Sequence, residues 1–166
     1  MYKYASGYLR ARGYEHYEVS SYALNAFDQD YRSRHNQIYW ALSGQWYALG
    51  LGATSFVNGE IVARPRALAD YCRWIEEQNL CPNQNKIETQ EREGLADIVL
   101  KRLRTSDGLS LDWVRDKYGS KSVDSILRGV KLGLDLDLAK MGGATLRLTD
   151  PEGFLYSNSI ISSIFV

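Results

Sequence analysis

Ser110-Leu-Asp-Trp-Val-Arg-Asp-Lys-Tyr118-Gly119-Ser-Lys-Ser122-Val123-Asp-Ser-Ile126-Leu127-Arg-Gly-Val130, followed by the turn Gly142-Gly143 and the run Thr145-Leu-Arg-Leu-Thr149, is the stretch that decides the fold of the second half of this chain. Ser110 is suited to N-cap a helix that runs to Tyr118, and Gly119 supplies its stop. Ser122 is suited to cap a second helix, on which Val123, Ile126, Leu127 and Val130 form one apolar stripe at helical spacing. The glycine pair predicts a tight turn between two short extended pieces.

Outward from this stretch, residues 89–104 carry Leu95, Ile98, Val99 and Leu103 on one helical face. Three helices followed by a β-hairpin is the order of a winged helix. Asp150-Pro151 reads as a cap with Pro at the first helical position, so a last amphipathic helix is expected to run to the end. Residues 79–87 are polar, contain Pro82 and lack a period, which marks them as a linker. Before them, Pro65 precedes a helix at about 66–78, with Leu68, Tyr71, Cys72 and Ile75 at helical spacing. Asn58-Gly59 predicts a hairpin between Phe56-Val57 and Ile61-Val62-Ala63. Trp46-Tyr-Ala-Leu-Gly-Leu-Gly-Ala53 reads as a short buried strand ending in glycines. Residues 23–36 read as a polar loop, and Tyr14 to Val19 as a strand. The first dozen residues read as a helix with Tyr4, Tyr8 and Ala11 on one face and Gly13 as its stop. It opens without a cap, which points to a longer parent.

The 166 residues include 20 Lys plus Arg against 20 Asp plus Glu, so the chain is neutral and exerts no global pull on nucleic acid or an anionic membrane. No apolar run nears the ~20 residues of a membrane span. Cys72 and Cys81 are too few for a disulfide framework and suit a reducing compartment. That places the protein in the cytoplasm, or in an organellar matrix or stroma if a parent carries a transit peptide, and not outside the cell.

The densest chemical cluster is His35-Asn36-Gln37-Ile38-Tyr39-Trp40. It sets an imidazole, an amide and two large rings within six residues, the groups that a haem iron and its flat apolar macrocycle require. Spacing alone fits better a surface loop whose aromatics fold back on the core, since a lone His more often only makes hydrogen bonds. Gly50-Leu-Gly52-Ala53-Thr-Ser-Phe56 could bring backbone close to a cofactor, but it is not the full G-x-G-x-x-G pattern, and tight packing explains it as well. His16, Glu18 and Ser20 share a face of the first strand, which suits acid–base work or, more simply, an exposed polar face.

Read in order, these segments resemble a known family. Gly13-Tyr-Glu-His-Tyr-Glu-Val-Ser-Ser-Tyr-Ala is similar to a G-Y-x-x-Y-E-x-S-x-(F/Y)-A strand, His35-Asn-Gln-Ile-Tyr-Trp to H-N-x-x-Y-W, and Leu49-Gly-Leu-Gly-Ala-Thr-Ser-Phe to a G-x-G-A-x-S loop. Leu103-Arg-Thr-Ser-Asp-Gly-Leu and Arg147-Leu-Thr-Asp-Pro-Glu-Gly-Phe-Leu-Tyr-Ser-Asn resemble a HemN C-terminal domain. Together they resemble HemW-type haem chaperones, radical-SAM relatives of oxygen-independent coproporphyrinogen III oxidase.

The resemblance implies an α/β chain: residues 1–83 as the last strands of a partial (β/α) barrel, and 84–166 as a helical, winged-helix-like domain. It implies haem bound by His35, Asn36, Tyr39 and Trp40, with His35 on the iron. It implies that Gly50, Gly52, Ala53 and Phe56 lie near S-adenosylmethionine in a longer parent that also holds a 4Fe-4S cluster. Its implied partners are haem or porphyrin and recipient apo-haemoproteins, with self-association left open. The C-x-x-x-C-x-x-C motif is absent, so this polypeptide lacks the three thiolates such a cluster needs. An oxidase-like enzyme is the second reading, and H-N-x-x-Y-W argues for the chaperone branch. A winged helix that binds DNA is the third. Residues 84–166 hold 12 Lys/Arg against 12 Asp/Glu, which does not suit a phosphate binder.

Overall fold

Tyr2, Ala5, Ser6 and Leu9 recur at helical spacing and form the inner face of α1 (Tyr2–Arg10) in the computed structural model, which describes residues 1–26, 29–42, 44–80 and 94–165. The face expected of Tyr4, Tyr8 and Ala11 is real but faces outward: Tyr4 and Tyr8 are exposed and stack with ring centroids 6.1 Å apart. Phenols tolerate water at their polar tips, whereas small Ser6 permits the close approach. Gly13, at φ 82°, ends the turn that follows.

β1 (Tyr14–Glu18) then pairs antiparallel with β2 (Ser21–Ala26), with Tyr14 opposite Leu24 and His16 opposite Tyr22. β3 (Gln29–Asp30) adds to the same ribbon. The polar loop expected at 23–36 is therefore strand at 23–26 and 29–30, and it runs into α2 (Arg34–Trp40). Tertiary pairing overrides its polar composition, because a partly exposed strand needs little apolar surface.

β4 (Thr54–Val57) and β5 (Glu60–Ala63) form the expected hairpin, with Asn58 and Gly59 both at positive φ. The expected strand at 46–53 is not one. Trp46 alone bridges to Phe56, while Tyr47 and Leu49 are 78% and 87% exposed. Gly50 and Gly52 adopt φ of 95° and 67°, which breaks a strand's pleat. α3 (Leu68–Leu80) follows. Cys81, the rest of the expected linker and the first part of the helix expected at 89–104 lie outside the described residues.

The second half has the winged-helix order. α4 (Leu95–Leu103) leads to β6 (Leu109–Ser110), α5 (Leu111–Tyr118), α6 (Ser120–Asp135), β7 (Ala139–Gly142) and β8 (Thr145–Leu148), and the sheet runs β6-β8-β7. Ser110 caps α5 as expected, its Oγ accepting from Trp113 N at 3.2 Å. Ser122 caps nothing: α6 has already begun at Ser120, and the Ser122 hydroxyl donates to the Tyr118 carbonyl at 3.0 Å. The last helix is two pieces, α7 (Glu152–Leu155) and α8 (Ser157–Ser163). Asp150 does not cap it, because its carboxylate accepts from Ser6 on α1.

Ile98, Val99, Leu103, Leu109, Val114, Ile126, Val130, Leu146 and Phe154 are buried at the centre. Each contributes roughly 1.5–3 kcal/mol of burial. Two glycines allow the close crossings around them. A Cβ on Gly129 would lie 2.4 Å from Ile164 Cα, and one on Gly153 would lie 2.0 Å from the Leu138 carbonyl oxygen.

The chain forms two compact units, Met1–Ala41 with Leu95–Val166, and Leu42–Gly94. Within the first, Val19 N donates to Arg104 O at 3.0 Å and Ser106 N to Tyr17 O at 2.9 Å, so β1 is knitted to the segment after α4. A cut at residue 83/84 would sever this joint.

Candidate functional site

α2 begins where Ser33 Oγ accepts from Asn36 N at 3.3 Å, which satisfies one of the free amides of the first turn. At ~100° per residue, His35, Ile38 and Tyr39 share one side of this short helix, and Asn36, Gln37 and Trp40 share the other. The surroundings follow that division. His35 and Ile38 are exposed, and the His35 and Tyr39 rings meet edge to face at 5.0 Å and 81°. On the opposite side, Asn36 Nδ2 donates to Ser21 Oγ at 3.4 Å and Gln37 Nε2 to Asp30 Oδ2 at 3.2 Å. The Arg32 backbone amide and then this Gln37 bond hold the Asp30 carboxyl below its usual range. Asn36 thus anchors the helix to β2. Trp40 faces away from His35, by ~140° around the helix.

Trp40 lines a cleft of about 150 Å³ with Tyr17, Arg32, Arg102, Thr105 and Asp107. Arg32 donates to Glu15 and, at 3.1 Å, to Asp107, and its guanidinium lies 5.6 Å from the Tyr17 ring centroid. Burial alone would lower the Arg32 pKa, but the two carboxylates outweigh it and hold the group above its ordinary value. Arg102 differs. Burial lowers its pKa, and Asp107, 3.8 Å away, only partly compensates.

The glycine loop lies in the second unit. Gly52 N donates to Pro65 O at 2.9 Å and Ala53 N to Gly50 O at 3.3 Å, so both amides are engaged. Phe56 is 4% exposed and packs against Trp46 with centroids 5.1 Å apart.

The polar face expected on the first strand is buried rather than exposed at two of its three positions. Glu18 is 5% exposed, and Ser20 and Ser21 donate to it at 2.9 and 2.5 Å. His16 lies at the centre of a larger cluster that the sequence does not reveal. Its Nδ1 is 2.6 Å from Asp150 Oδ1, its ring stacks on Tyr22 at 4.0 Å, and Phe154 meets it edge-on at 4.9 Å. Tyr2 donates to Val19 O at 2.8 Å beside the same imidazole. Burial raises the phenol pKa values of both Tyr2 and Tyr22. Asp150-Pro151 looks like a helix start in sequence, and no local signal shows that its carboxylate serves β1. Among the described residues, no group of three or more His, Cys, Asp or Glu could hold a metal ion, and no helix is long and apolar enough to cross a membrane.

No protein-family model matches the sequence. The chain is 30% identical, over 181 aligned residues, to Heme chaperone HemW of Synechocystis sp. (strain ATCC 27184 / PCC 6803 / Kazusa), an alignment covering 99% of this chain and 42% of that protein. It is 39% identical over 59 residues to Heme chaperone HemW of Lactococcus lactis subsp. lactis (strain IL1403), covering 36% and 14%. Among solved structures it resembles the coproporphyrinogen III oxidase HemN from Escherichia coli, described as a radical SAM enzyme. That match has a TM-score of 0.65 at 14% identity, covering 97% of this chain and 39% of the other, and at this identity the likeness is one of fold. The chain spans less than half the length of these relatives. In sequence the chain is similar to part of the HemW proteins, and its mixed α/β fold is that of the corresponding part of HemN.

Proposed function

We propose that this chain is the haem-holding part of a HemW-type chaperone, which carries haem to apo-haemoproteins in the cytoplasm or an organellar matrix. In this reading residues 1–83 are the end of a radical-SAM barrel and 84–166 the HemN C-terminal-like domain. The observation that carries it is the exposed His35 imidazole, set edge-on to Tyr39 beside exposed Ile38, on a helix whose other side is anchored. An accessible neutral imidazole suits haem iron, and Ile38 and Tyr39 give the apolar and aromatic surface a macrocycle needs. Haem supplies the iron that accepts this nitrogen. The His16 side chain is fully buried, which leaves His35 as the accessible histidine of the two in the chain.

Trp40 stabilises the helix in this reading rather than flanking the porphyrin on the side of His35. Gly50, Gly52, Ala53 and Phe56 lie near S-adenosylmethionine only in a longer parent. Two cysteines do not fit a 4Fe-4S cluster, so no radical step is assigned to this polypeptide. The test is haem titration followed by the Soret band. His35→Ala removes the low-spin signature or weakens affinity at least ~10-fold, about 1.4 kcal/mol. An unchanged spectrum and affinity, in this chain and in a longer parent, overturns the reading.

A further inference from the structure

We propose that the cleft behind α2 is a second binding site, separate from the His35 face, for a small carboxylate carried on a flat apolar group. Its lining holds two guanidinium groups, Arg32 and Arg102; Arg32 is taken by Glu15 and Asp107, which leaves Arg102 as the guanidinium open to a ligand. Asp107 is committed to Arg32 through Oδ1 at 3.1 Å, and its Oδ2 is 3.8 Å from Arg102 Nη2, too far for a hydrogen bond. The Arg102 Nε donates to Gly108 O at 3.0 Å, which leaves the two outer nitrogens of its fork without a short acceptor among the described residues. A mostly buried guanidinium in that condition favours an incoming anion, and its planar fork matches a carboxylate in two parallel bonds.

The rest of the lining supplies the body of the ligand site. The Tyr17 ring is buried and Trp40 is half-buried, and together they give flat apolar surface. Trp40 lines this wall, so its indole signal reports on the cleft. The Thr105 hydroxyl already donates to Arg102 O at 3.0 Å and keeps its lone pairs for a ligand donor. The space open to a ligand, about 150 Å³, is smaller than a drug-sized pocket and suits a small aromatic acid.

The site does not rest on the haem reading. Trp40 and His35 diverge by ~140° around α2, so a ligand in the cleft stays clear of the imidazole.

Benzoate is the probe, titrated into the uniformly 15N-labelled chain of 166 residues. The four tryptophans give four indole N–H signals, and Trp40→Phe assigns the one that matters. Benzoate moves the Trp40 signal saturably in the millimolar range, whereas neutral benzamide does not. Arg102→Gln weakens the effect at least ~10-fold, and His35→Ala leaves it unchanged. The absence of a saturable shift, an equal response to benzamide, or full binding by a folded Arg102→Gln chain overturns the proposal. The benzamide comparison uses the unaltered chain, so the test stands even if Arg102→Gln fails to fold. Porphyrins carry carboxylates too. Competition by metal-free protoporphyrin in the His35→Ala chain identifies a porphyrin side chain as the occupant, and its absence identifies a free small acid.

Discussion

His16 Nδ1 and Asp150 Oδ1 stand 2.6 Å apart although the residues are 134 positions apart in sequence, and this contact ties β1 to the turn that follows β8. Ser6 donates to the same carboxylate oxygen at 3.0 Å, and Arg10 approaches the other at 3.5 Å. Removing the imidazole takes one partner from Asp150 and opens a cavity between Tyr22 and Phe154. His16→Ala is expected to destabilise the chain by ~3 kcal/mol, within the range for breaking a buried pair. Urea unfolding checks it, and a change under ~0.5 kcal/mol would mean the pair is not a fastening.

Alkali should act through the same cluster. Burial holds the Tyr2 phenol well above its ordinary pKa of 10.0, and Tyr22 is raised in the same direction. A group with a raised pKa in the folded state keeps its contribution in full below the unfolded value and loses it as the pH climbs toward the folded one. Stability should therefore hold to about pH 10 and fall above it. Thermal melts from pH 8 to 11.5 test this, with a shallower fall expected in Tyr2→Phe; identical slopes would remove Tyr2 from the account.

The two sides of α2 should separate stability from haem affinity. A helix of seven residues is too short to persist by itself in water, so it depends on packing and on its bonds to the body. Trp40→Ala and Asn36→Ala are expected to lower Tm by several degrees, about 1–2 kcal/mol. His35→Ala should leave Tm nearly unchanged while it weakens haem binding. Circular dichroism melts beside haem titrations give the comparison, and a large loss of Tm in His35→Ala would contradict the assignment of faces.

Gly153→Ala should be among the more damaging single-methyl changes in the chain. The added Cβ would lie 2.0 Å from the Leu138 carbonyl oxygen, which is backbone and cannot swing aside. A cost of ~3 kcal/mol or non-folding is expected, against a gain of roughly 0.5–1 kcal/mol for Gly7→Ala, an open position inside α1. Equal stability of the two variants would show that the α7 turn can shift.

The elements that could be read from sequence are those fixed by neighbours along the chain. Ser110 caps α5 through a bond to Trp113, three residues on. Asn58-Gly59 needs only its own backbone angles. Val123, Ile126 and Val130 face inward because helical period and burial coincide. The rest depends on distant partners. β6 is two residues long and exists because Leu109 meets Leu146, and β2 is polar but lies against β1. Asp150 has every local mark of a helix cap, yet a histidine from the other end of the chain takes its carboxylate. At the candidate site, the sequence gathered His35, Asn36, Tyr39 and Trp40 into one motif. The period of α2 divides them between an outward and an inward side. Arg102, in the cleft behind them, carries no local mark.

The first compact unit is interrupted: it leaves off at Ala41 and resumes at Leu95. On a ribosome adding ~10 residues per second, β1 and β2 emerge several seconds before the segment that bonds to Tyr17 and Val19 exists. For that interval the nascent ribbon has an unpaired edge and an uncovered aromatic side. Slower translation between these points is therefore expected to lengthen the time this edge stays exposed.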